Sequence, residues 1–263
     1  MEHRSLSAHV PIVRSNAIAT YLGLVAAVEG SVVTKPHGFT LVRGPGFFSF
    51  CNFAAGFHIE DSDLDEAIAL LQAQARECFG FYVFAMSGDT PDRLDERLVE
   101  CGFEVRQRLV SMASVLAPAQ GELDARLVTD RQERADVATF MARQFFWSMP
   151  SEARSAIAAA TSACGHTVWC VGQASDPRAA VMLVEQHDSV GLFNLCVKPE
   201  LRSKGIGGDL VRAVQTAASN LGRPVVLQCG EDLVPWYQNL GFDRVGHVTA
   251  LTLSSAASGD ILT

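Results

Sequence analysis

The stretch Leu192–Leu221, LFNLCVKPELRSKGIGGDLVRAVQTAASNL, decides the fold expected for this chain. Its opening part, Leu192–Val197, is a short apolar run that predicts a buried strand, and Pro199 ends that run. A basic, glycine-rich turn follows at Arg202–Gly208. Beyond the turn, apolar residues recur at helical spacing and predict an amphipathic helix.

This order of strand, glycine-rich turn and helix is typical of an anion-binding site. The free N–H groups of a first helical turn and the helix dipole both favour a negative charge. Glycine lets the backbone approach a phosphate closely, and Arg202 and Lys204 supply positive charge. A Walker loop requires GxxxxGK[ST], which is absent, and the glycines of a Rossmann fingerprint follow the strand directly. The alternative is an ordinary strand–turn–helix whose glycines serve only the turn.

The run Val197-Lys-Pro-Glu-Leu-Arg-Ser-Lys-Gly-Ile-Gly, with its R-x-x-G-x-G spacing, resembles the pyrophosphate loop of the GNAT superfamily of N-acetyltransferases. The resemblance implies acetyl-coenzyme A (acetyl-CoA) as co-substrate. In the family, the strand before the loop is splayed from its neighbour, so its backbone can bind the cofactor and hold the thioester oxygen. The cofactor-binding residues implied in this way are Leu195, Cys196, Val197, Arg202, Ser203, Lys204, Gly205, Ile206, Gly207 and Gly208.

A second motif, Y-x-x-x-G-F from Tyr237 to Phe242, resembles the segment in which many GNAT enzymes carry a catalytic tyrosine. A phenol with a pKa of about 10 can protonate a departing thiolate whose conjugate acid has a pKa of about 8.5. The alternative is that Tyr237 only packs a short helix. Glu231 stands where the family commonly has an asparagine, which puts the cofactor contacts upstream of Tyr237 in doubt.

An attacking amine must be neutral, so a general base is expected. Glu185, on the preceding predicted strand, is the candidate, with Asn194 as a water-holding neighbour; a surface charge is the alternative for Glu185. Cys196 is not favoured as a covalent nucleophile, because no activating base lies near it in sequence. Trp147 and Trp169 are interpreted as core residues rather than as the lining of an acceptor pocket.

The composition limits the class of protein. Of 263 residues, 48% are hydrophobic and 19% charged, which is typical of a globular chain, and the net charge of −8 argues against general nucleic-acid binding. We find no apolar run of membrane-spanning length and no signal-peptide core. Seven scattered cysteines without a CxxC pair favour reduced thiols and a cytoplasmic location. No metal site is expected, and a homodimer is a possible assembly.

The order of elements occurs twice, which predicts a duplication, and the resemblance to the GNAT superfamily implies an α/β (α+β) fold with a mixed, mostly antiparallel twisted sheet flanked by helices. In each half a strand and a short helix lead to Gly-Phe, an acidic residue and a long strand, at Gly102 and again at Gly241. We divide the chain into a degenerate GNAT-like domain, 1–117, and a GNAT domain with the acetyl-CoA site, 118–263. The first half lacks the glycine turn, has acids at Glu60–Asp63 and carries Leu98 in the tyrosine's place. The alternative is an unrelated α+β domain.

The resulting hypothesis is an acetyl-CoA-dependent N-acetyltransferase that transfers the acetyl group directly to the amine of an unidentified small molecule or peptide. One rival is a transferase that uses another acyl group or an oxygen acceptor. The other rival is a sensor that binds acyl-CoA without transferring the acyl group.

At the level of elements, the first helix is predicted over 16–28 and an aromatic strand over 47–57.

Overall fold

The computed structural model describes residues 6–45, 49–78, 80–114 and 124–254. Within these ranges the α-helices are α1 (Val10–Val25), α2 (Leu64–Glu77), α3 (Leu94–Glu100), α4 (Arg131–Phe145), α5 (Ser151–Ala163), α6 (Ile206–Asn220) and α7 (Val234–Gln238). The strands are β1 (Val32–Thr34), β2 (Thr40–Arg43), β3 (Asn52–Ala55), β4 (Tyr82–Met86), β5 (Phe103–Ser114), β6 (Ala125–Leu127), β7 (Thr167–Gln173), β8 (Asp176–Glu185), β9 (Val190–Val197), β10 (Val225–Cys229) and β11 (Phe242–Leu253).

All of these strands belong to one eleven-stranded sheet in the order β1-β2-β3-β4-β11-β5-β10-β9-β8-β7-β6. Only β3–β4 and β9–β10 pair in parallel; the other neighbours are antiparallel. The predicted fold class, a mostly antiparallel sheet flanked by helices, is therefore confirmed.

The two halves of the chain exchange their last strands. β5 ends the first half but pairs with β10, whereas β11 ends the second half but pairs with β4. The two exchanged strands also pair with each other along their whole length, with Phe103 opposite Leu253 and Ser114 opposite Phe242. This reciprocal register relates the halves by a local two-fold arrangement and confirms the predicted duplication.

The exchange extends to the hydrophobic cores. Val110 and Met112 of β5 pack in the core of the second half, together with buried residues of α6. Leu251 and Leu253 of β11 pack in the core of the first half, beneath α2. Each half therefore completes its core with side chains from the other.

Alternation along the strands places helices on both faces of the sheet. Val225 and Leu227 pack with α6, whereas Val226 between them packs with Val13 of α1 on the opposite face. Helix α1 belongs to the first half, but it crosses onto the strands of the second half. Helices α6 and α1 thus cover opposite faces of the same strands.

Two predicted boundaries differ from the structure. Helix α1 begins at Val10 rather than at 16, because Pro11 fits the first helical turn, where its missing N–H is not needed. The aromatic strand predicted over 47–57 is confined to Asn52–Ala55, and residues 46–48 lie outside the described ranges. Among the described helices, none combines the length and apolarity that crossing a bilayer would require.

Candidate functional site

A gap opens between β9 and β10. The two parallel strands pair only at Val190 with Val225 and at Gly191 with Val226. Strand β9 continues to Val197 and stays paired with β8 on its other edge. No described strand therefore pairs with the edge of β9 that faces β10 after Gly191. An extended ligand with amide groups can bind along such a free strand edge.

A β-bulge reshapes β9 inside this gap. Cys196 pairs with Ala180 and Phe193 pairs with Met182, so that one residue of β8 faces both Asn194 and Leu195. Asn194 has a φ of 51°, in the left-handed region that non-glycine residues rarely adopt. Bulges of this kind re-aim backbone groups and are frequent beside active sites. The predicted positions Leu195, Cys196 and Val197 thus follow a distorted stretch of strand.

The glycine-rich turn lies at the open end of the gap. Ser203 and Gly205 have φ values of 59° and 87°, and Gly205 is the residue immediately before α6. Arg202 is exposed and donates from Nε to the backbone oxygen of Val197 at 3.2 Å and from Nη2 to Oε1 of Gln144 at 3.5 Å. The turn is thereby attached to the end of β9, and the first N–H groups of α6 lie beside it.

The charges around the turn favour an anion. Arg202 and Lys204 are exposed and form no ion pair with any described residue. The neighbouring Lys198 is paired with Asp176 at 2.7 Å and with Glu200 at 3.5 Å. Asp209, in the first turn of α6, pairs with Arg212 at 3.1 Å. Two cations therefore remain available at the turn.

The contacts of Gly207 show that three elements converge at this end of the gap. A Cβ built on Gly207 would lie 3.5 Å from Cγ2 of Val197 and 3.7 Å from Cζ2 of Trp236. The start of α6, the end of β9 and helix α7 therefore meet around this glycine. Its missing side chain leaves the backbone open to a close ligand.

Tyr237 follows Trp236 on α7 and is buried, with 6% of its surface exposed. Its ring makes edge contacts with Trp236 and Phe242, at centroid distances of 4.7 and 5.5 Å. Within the described part of the chain, its hydroxyl has no hydrogen-bond partner. Burial raises the pKa of Tyr237 above its usual range, so the phenol stays protonated at neutral pH. The ring packs in the core, yet the hydroxyl keeps the proton that an acid needs.

Cys196 is buried at 7% exposure, and its Sγ lies 3.8 Å from the backbone oxygen of Ala180. Burial raises the pKa of the Cys196 thiol to about 12. Because the thiolate is the nucleophilic form, this cysteine is inert at neutral pH. The backbone role implied for Cys196 stays a prediction.

The structure does not bring Glu185 to the open end of the gap. Glu185 is exposed, faces Val190 across the β8–β9 pair and accepts a hydrogen bond from Oγ1 of Thr167 at 3.1 Å. Val190 still pairs with β10, at the closed end of the gap, where the two strands have not yet separated. At the strand rise of about 3.3 Å per residue, Val190 lies about 23 Å along β9 from Val197. Of the proposed pair, only Asn194 lies within the gap itself.

The two candidate tryptophans differ in exposure. Trp169 is partly buried against the core beneath α6, as expected. Trp147 is 68% exposed in the segment between α4 and α5, so the expectation that it packs in the core is wrong. This segment follows Gln144, which contacts Arg202. The sequence carried no sign of this contact, because Gln144 lies far from the glycine turn along the chain.

The matching place in the first half is closed. Strands β3 and β4 pair up to Ala55 and Phe84, and beyond them Asp89 accepts hydrogen bonds from the N–H groups of Phe57 (3.1 Å) and Met86 (2.7 Å). The buried Asp89 carboxylate also pairs with Arg14 at 2.6 Å. The acids predicted to disfavour a pyrophosphate, including Asp61 and Asp63, are exposed before α2, and Leu98 is fully buried. Among the residues that the structure describes, only those of the second half form an open gap.

Comparison with known proteins agrees with this arrangement. Residues 154–250 match the family model described as acetyltransferase (GNAT) domain. A GCN5-related N-acetyltransferase from Kribbella flavida has a similar structure, with a TM-score of 0.68, 16% identity and coverage of 95% of this chain and 98% of that one. A GCN5-related N-acetyltransferase from Sphaerobacter thermophilus is similar at a TM-score of 0.55 and 11% identity, over 90% of this chain and 92% of that one.

A tandem GNAT protein from the clavulanic acid biosynthesis pathway covers 96% of this chain and 98% of its own, with a TM-score of 0.56 and 11% identity. No curated protein matches the sequence. Residues 154–250 therefore form a GNAT acetyltransferase domain, and the whole chain has a tandem GNAT fold. The matched domain is that of an acyltransferase, and the GNAT family generally transfers acyl groups from acetyl-CoA.

Proposed function

We propose that the protein is an N-acetyltransferase that transfers the acetyl group of acetyl-CoA directly to an amine on a small molecule or peptide. The observation that carries the proposal is the gap after Gly191 and Val226, whose open end meets the glycine-rich turn before α6. Both features lie within the matched domain. The acyl group and its thioester are what acetyl-CoA supplies when bound.

The residues at the turn fit a pyrophosphate. Arg202 and Lys204 provide charge, and the N–H groups from Gly205 to Gly208 provide donors at a helix N-terminus. Gly205 needs its positive φ to place the turn, and a side chain at Gly207 would fill the space next to Val197 and Trp236. The cofactor set inferred from the sequence, Leu195–Val197 and Arg202–Gly208, therefore remains our assignment.

Tyr237 is assigned as the general acid. In the transfer, the amine nitrogen forms a bond to the carbonyl carbon, the carbon–sulfur bond breaks, and the thiolate receives a proton. The raised pKa of Tyr237 keeps that proton available at neutral pH. The free backbone edge at Leu195–Val197 is assigned to the thioester oxygen. The inert thiol of Cys196 supports direct attack by the amine.

The proton that the amine loses needs a separate acceptor. Glu185 lies beyond the closed end of the gap and is bound to Thr167, so we assign it no role in this step. We assign to Asn194, in the bulge, the role of holding a water molecule that carries the proton away. The net charge of −8 suits an amine-bearing acceptor, which is cationic in solution. The seven cysteines are reduced, and we infer a reducing, cytoplasmic location from them.

Calorimetric titration with acetyl-CoA, run beside a thiol-release assay with a panel of amines, tests the proposal. We expect binding of acetyl-CoA and release of free CoA with at least one amine, with the acetylated product identified by mass spectrometry. Binding without any release would indicate a sensor. Release only with alcohols, or only with longer acyl-CoA molecules, would identify another transferase. Absence of binding would refute the proposal.

A further inference from the structure

Asn16 lies in the first half of the chain but is buried beside the closed end of the gap in the second half. It is on α1, has 0% of its surface exposed, and donates from Nδ2 to the backbone oxygen of Val184 and to Oγ of Ser189, both at 3.0 Å. Val184 is near the end of β8, and Ser189 immediately precedes β9. One side chain from the N-terminal half therefore holds both ends of the turn that leads into β9.

The same side chain lies against the residue at which the gap begins. A Cβ built on Gly191 would be 2.0 Å from Oδ1 of Asn16 and 2.5 Å from Cε2 of Phe193. Gly191 is the last residue of β9 that pairs with β10. Asn16 therefore occupies the space that any side chain at 191 would need, and the absence of a Cβ allows α1 to approach the strand.

The hydrogen bonding of Asn16 is asymmetric. Its Nδ2 group has two acceptors, whereas its buried Oδ1 has no partner among the described residues. A buried acceptor without a partner is costly, and a well-packed apolar residue would avoid that cost. The amide is therefore suited to fixing the positions of Val184 and Ser189 rather than to packing alone.

We propose that Asn16 is a positioning residue that the N-terminal half supplies to hold the closed end of the gap, so that β9 diverges from β10 at Gly191. This inference rests on the function proposed above. It gives the first half, whose own gap is closed, a part in the acyl-transfer site. Asn16 acts through β9 and does not contact the substrate.

The test compares Asn16→Ala with Thr20→Val. Thr20 is one turn further along α1, is equally buried, and loses one hydrogen bond, from its Oγ1 to the backbone oxygen of Asn16. The readouts are amide hydrogen exchange across 192–197 and the dissociation constant for acetyl-CoA, with melting temperature as the measure of global stability. We expect Asn16→Ala to accelerate exchange at 192–197 and to weaken acetyl-CoA binding, each at least tenfold more than Thr20→Val.

A double-mutant cycle with Gly191→Ala keeps the inference testable if one variant is unstable. The added Cβ at 191 collides with Asn16, so Gly191→Ala is expected to disturb 192–197 strongly, and combination with Asn16→Ala is expected to relieve part of that effect. Equal effects of Asn16→Ala and Thr20→Val, or strictly additive effects at 16 and 191, would overturn the inference. If the wild-type protein bound no acetyl-CoA, the proposed function would fail, whereas hydrogen exchange and the cycle would still decide the role of Asn16.

Discussion

Tyr237 shows how one residue can serve both packing and chemistry. Its ring fills the space between Trp236 and Phe242, and the same burial raises the pKa of its phenol. A protonated phenol can transfer a proton to a thiolate, whereas a phenolate cannot. The two interpretations that the sequence left open, core residue and acid, are therefore compatible.

Replacing Tyr237 by Phe keeps the ring and deletes only the hydroxyl. We expect the maximal rate of CoA release to fall by roughly 10²–10⁴-fold, the range typical of one acid–base group, with the affinity for acetyl-CoA nearly unchanged. Because the pKa of Tyr237 is raised, the wild-type rate should not decline through its ionisation below about pH 10, the ordinary pKa of a tyrosine. Steady-state kinetics over pH check both expectations. An undiminished rate in Tyr237→Phe would falsify the role.

Arg202→Ala and Gly205→Val should each weaken acetyl-CoA binding in a folded protein. The first removes a free cation, and a charge-assisted hydrogen bond is worth about 1.5–3 kcal/mol, or at least about tenfold in affinity. The second places a β-branched residue at a φ of 87° and obstructs the backbone. Isothermal titration calorimetry gives the affinities.

Matched controls for these two variants lie at the other end of α6. Arg223→Ala removes a cation there, and Gly222→Val introduces a similar backbone strain at a φ of 68° with no neighbouring atom within 4 Å of the new Cβ. Neither should alter acetyl-CoA affinity. If the variants at 202 and 205 bound as tightly as these controls, the assignment of the glycine turn would be wrong.

At the scale of elements, the two pairs of parallel strands differ in whether the strands separate. β9 and β10 separate after Gly191, whereas the pair β3 and β4 is extended by Asp89, which binds backbone N–H groups on both sides. Burial raises the pKa of Asp89, while Arg14 and the N–H groups favour its charged form. The closed strand pair thus depends on a buried ion pair with α1.

Replacing Arg14 by Met should destabilise the protein strongly. The change leaves the Asp89 carboxylate, whose side chain is 2% exposed, without its cation, and breaking a buried pair from one side typically costs about 3–5 kcal/mol. Chemical denaturation measures the free energy of unfolding. The double variant Arg14→Met/Asp89→Asn removes the uncompensated charge and should recover part of the loss. A loss below about 1 kcal/mol for Arg14→Met, as at an exposed pair, would contradict this account.

At the scale of the whole molecule, the exchanged strands connect the two halves. The stretch 118–263 alone lacks β5, which separates β10 from β11 and supplies Val110 and Met112 to its core. We therefore expect this fragment to be unfolded or aggregated by circular dichroism and size-exclusion chromatography. Co-expression with fragment 1–117 should restore a folded complex. A stable monomeric fragment 118–263 would show that the exchange is dispensable.

The duplication also predicts how many cofactors bind. The second half has an open gap, a glycine turn and Tyr237. The first half has a closed strand pair, exposed acids before α2 and the buried Leu98. Titration of the whole chain should therefore give one acetyl-CoA per chain. A stoichiometry of two would mean that the first half opens in solution, and it would refute the prediction of a degenerate repeat.

The sequence by itself determined the local parts of this protein. The run Leu192–Leu221 predicted strand, turn and helix, because apolar spacing and glycine positions act over a few residues. The Gly-Phe segments at 102 and 241 predicted the repeat. The resemblance of the glycine turn and of the Tyr237 segment to a known family implied the fold, later confirmed, and the site, which remains a prediction.

Only the tertiary structure decided which distant residues meet. The exchange of β5 and β11, the closure by Asp89 and Arg14, and the position of Asn16 against Gly191 all join segments far apart in the chain. No local pattern marks these contacts, because they depend on strand order and on how α1 crosses the sheet. Glu185 is close to β9 in sequence, yet it lies beyond the closed end of the gap. The pairing register sets it opposite Val190, at the start of β9, whereas the glycine turn follows the other end of that strand.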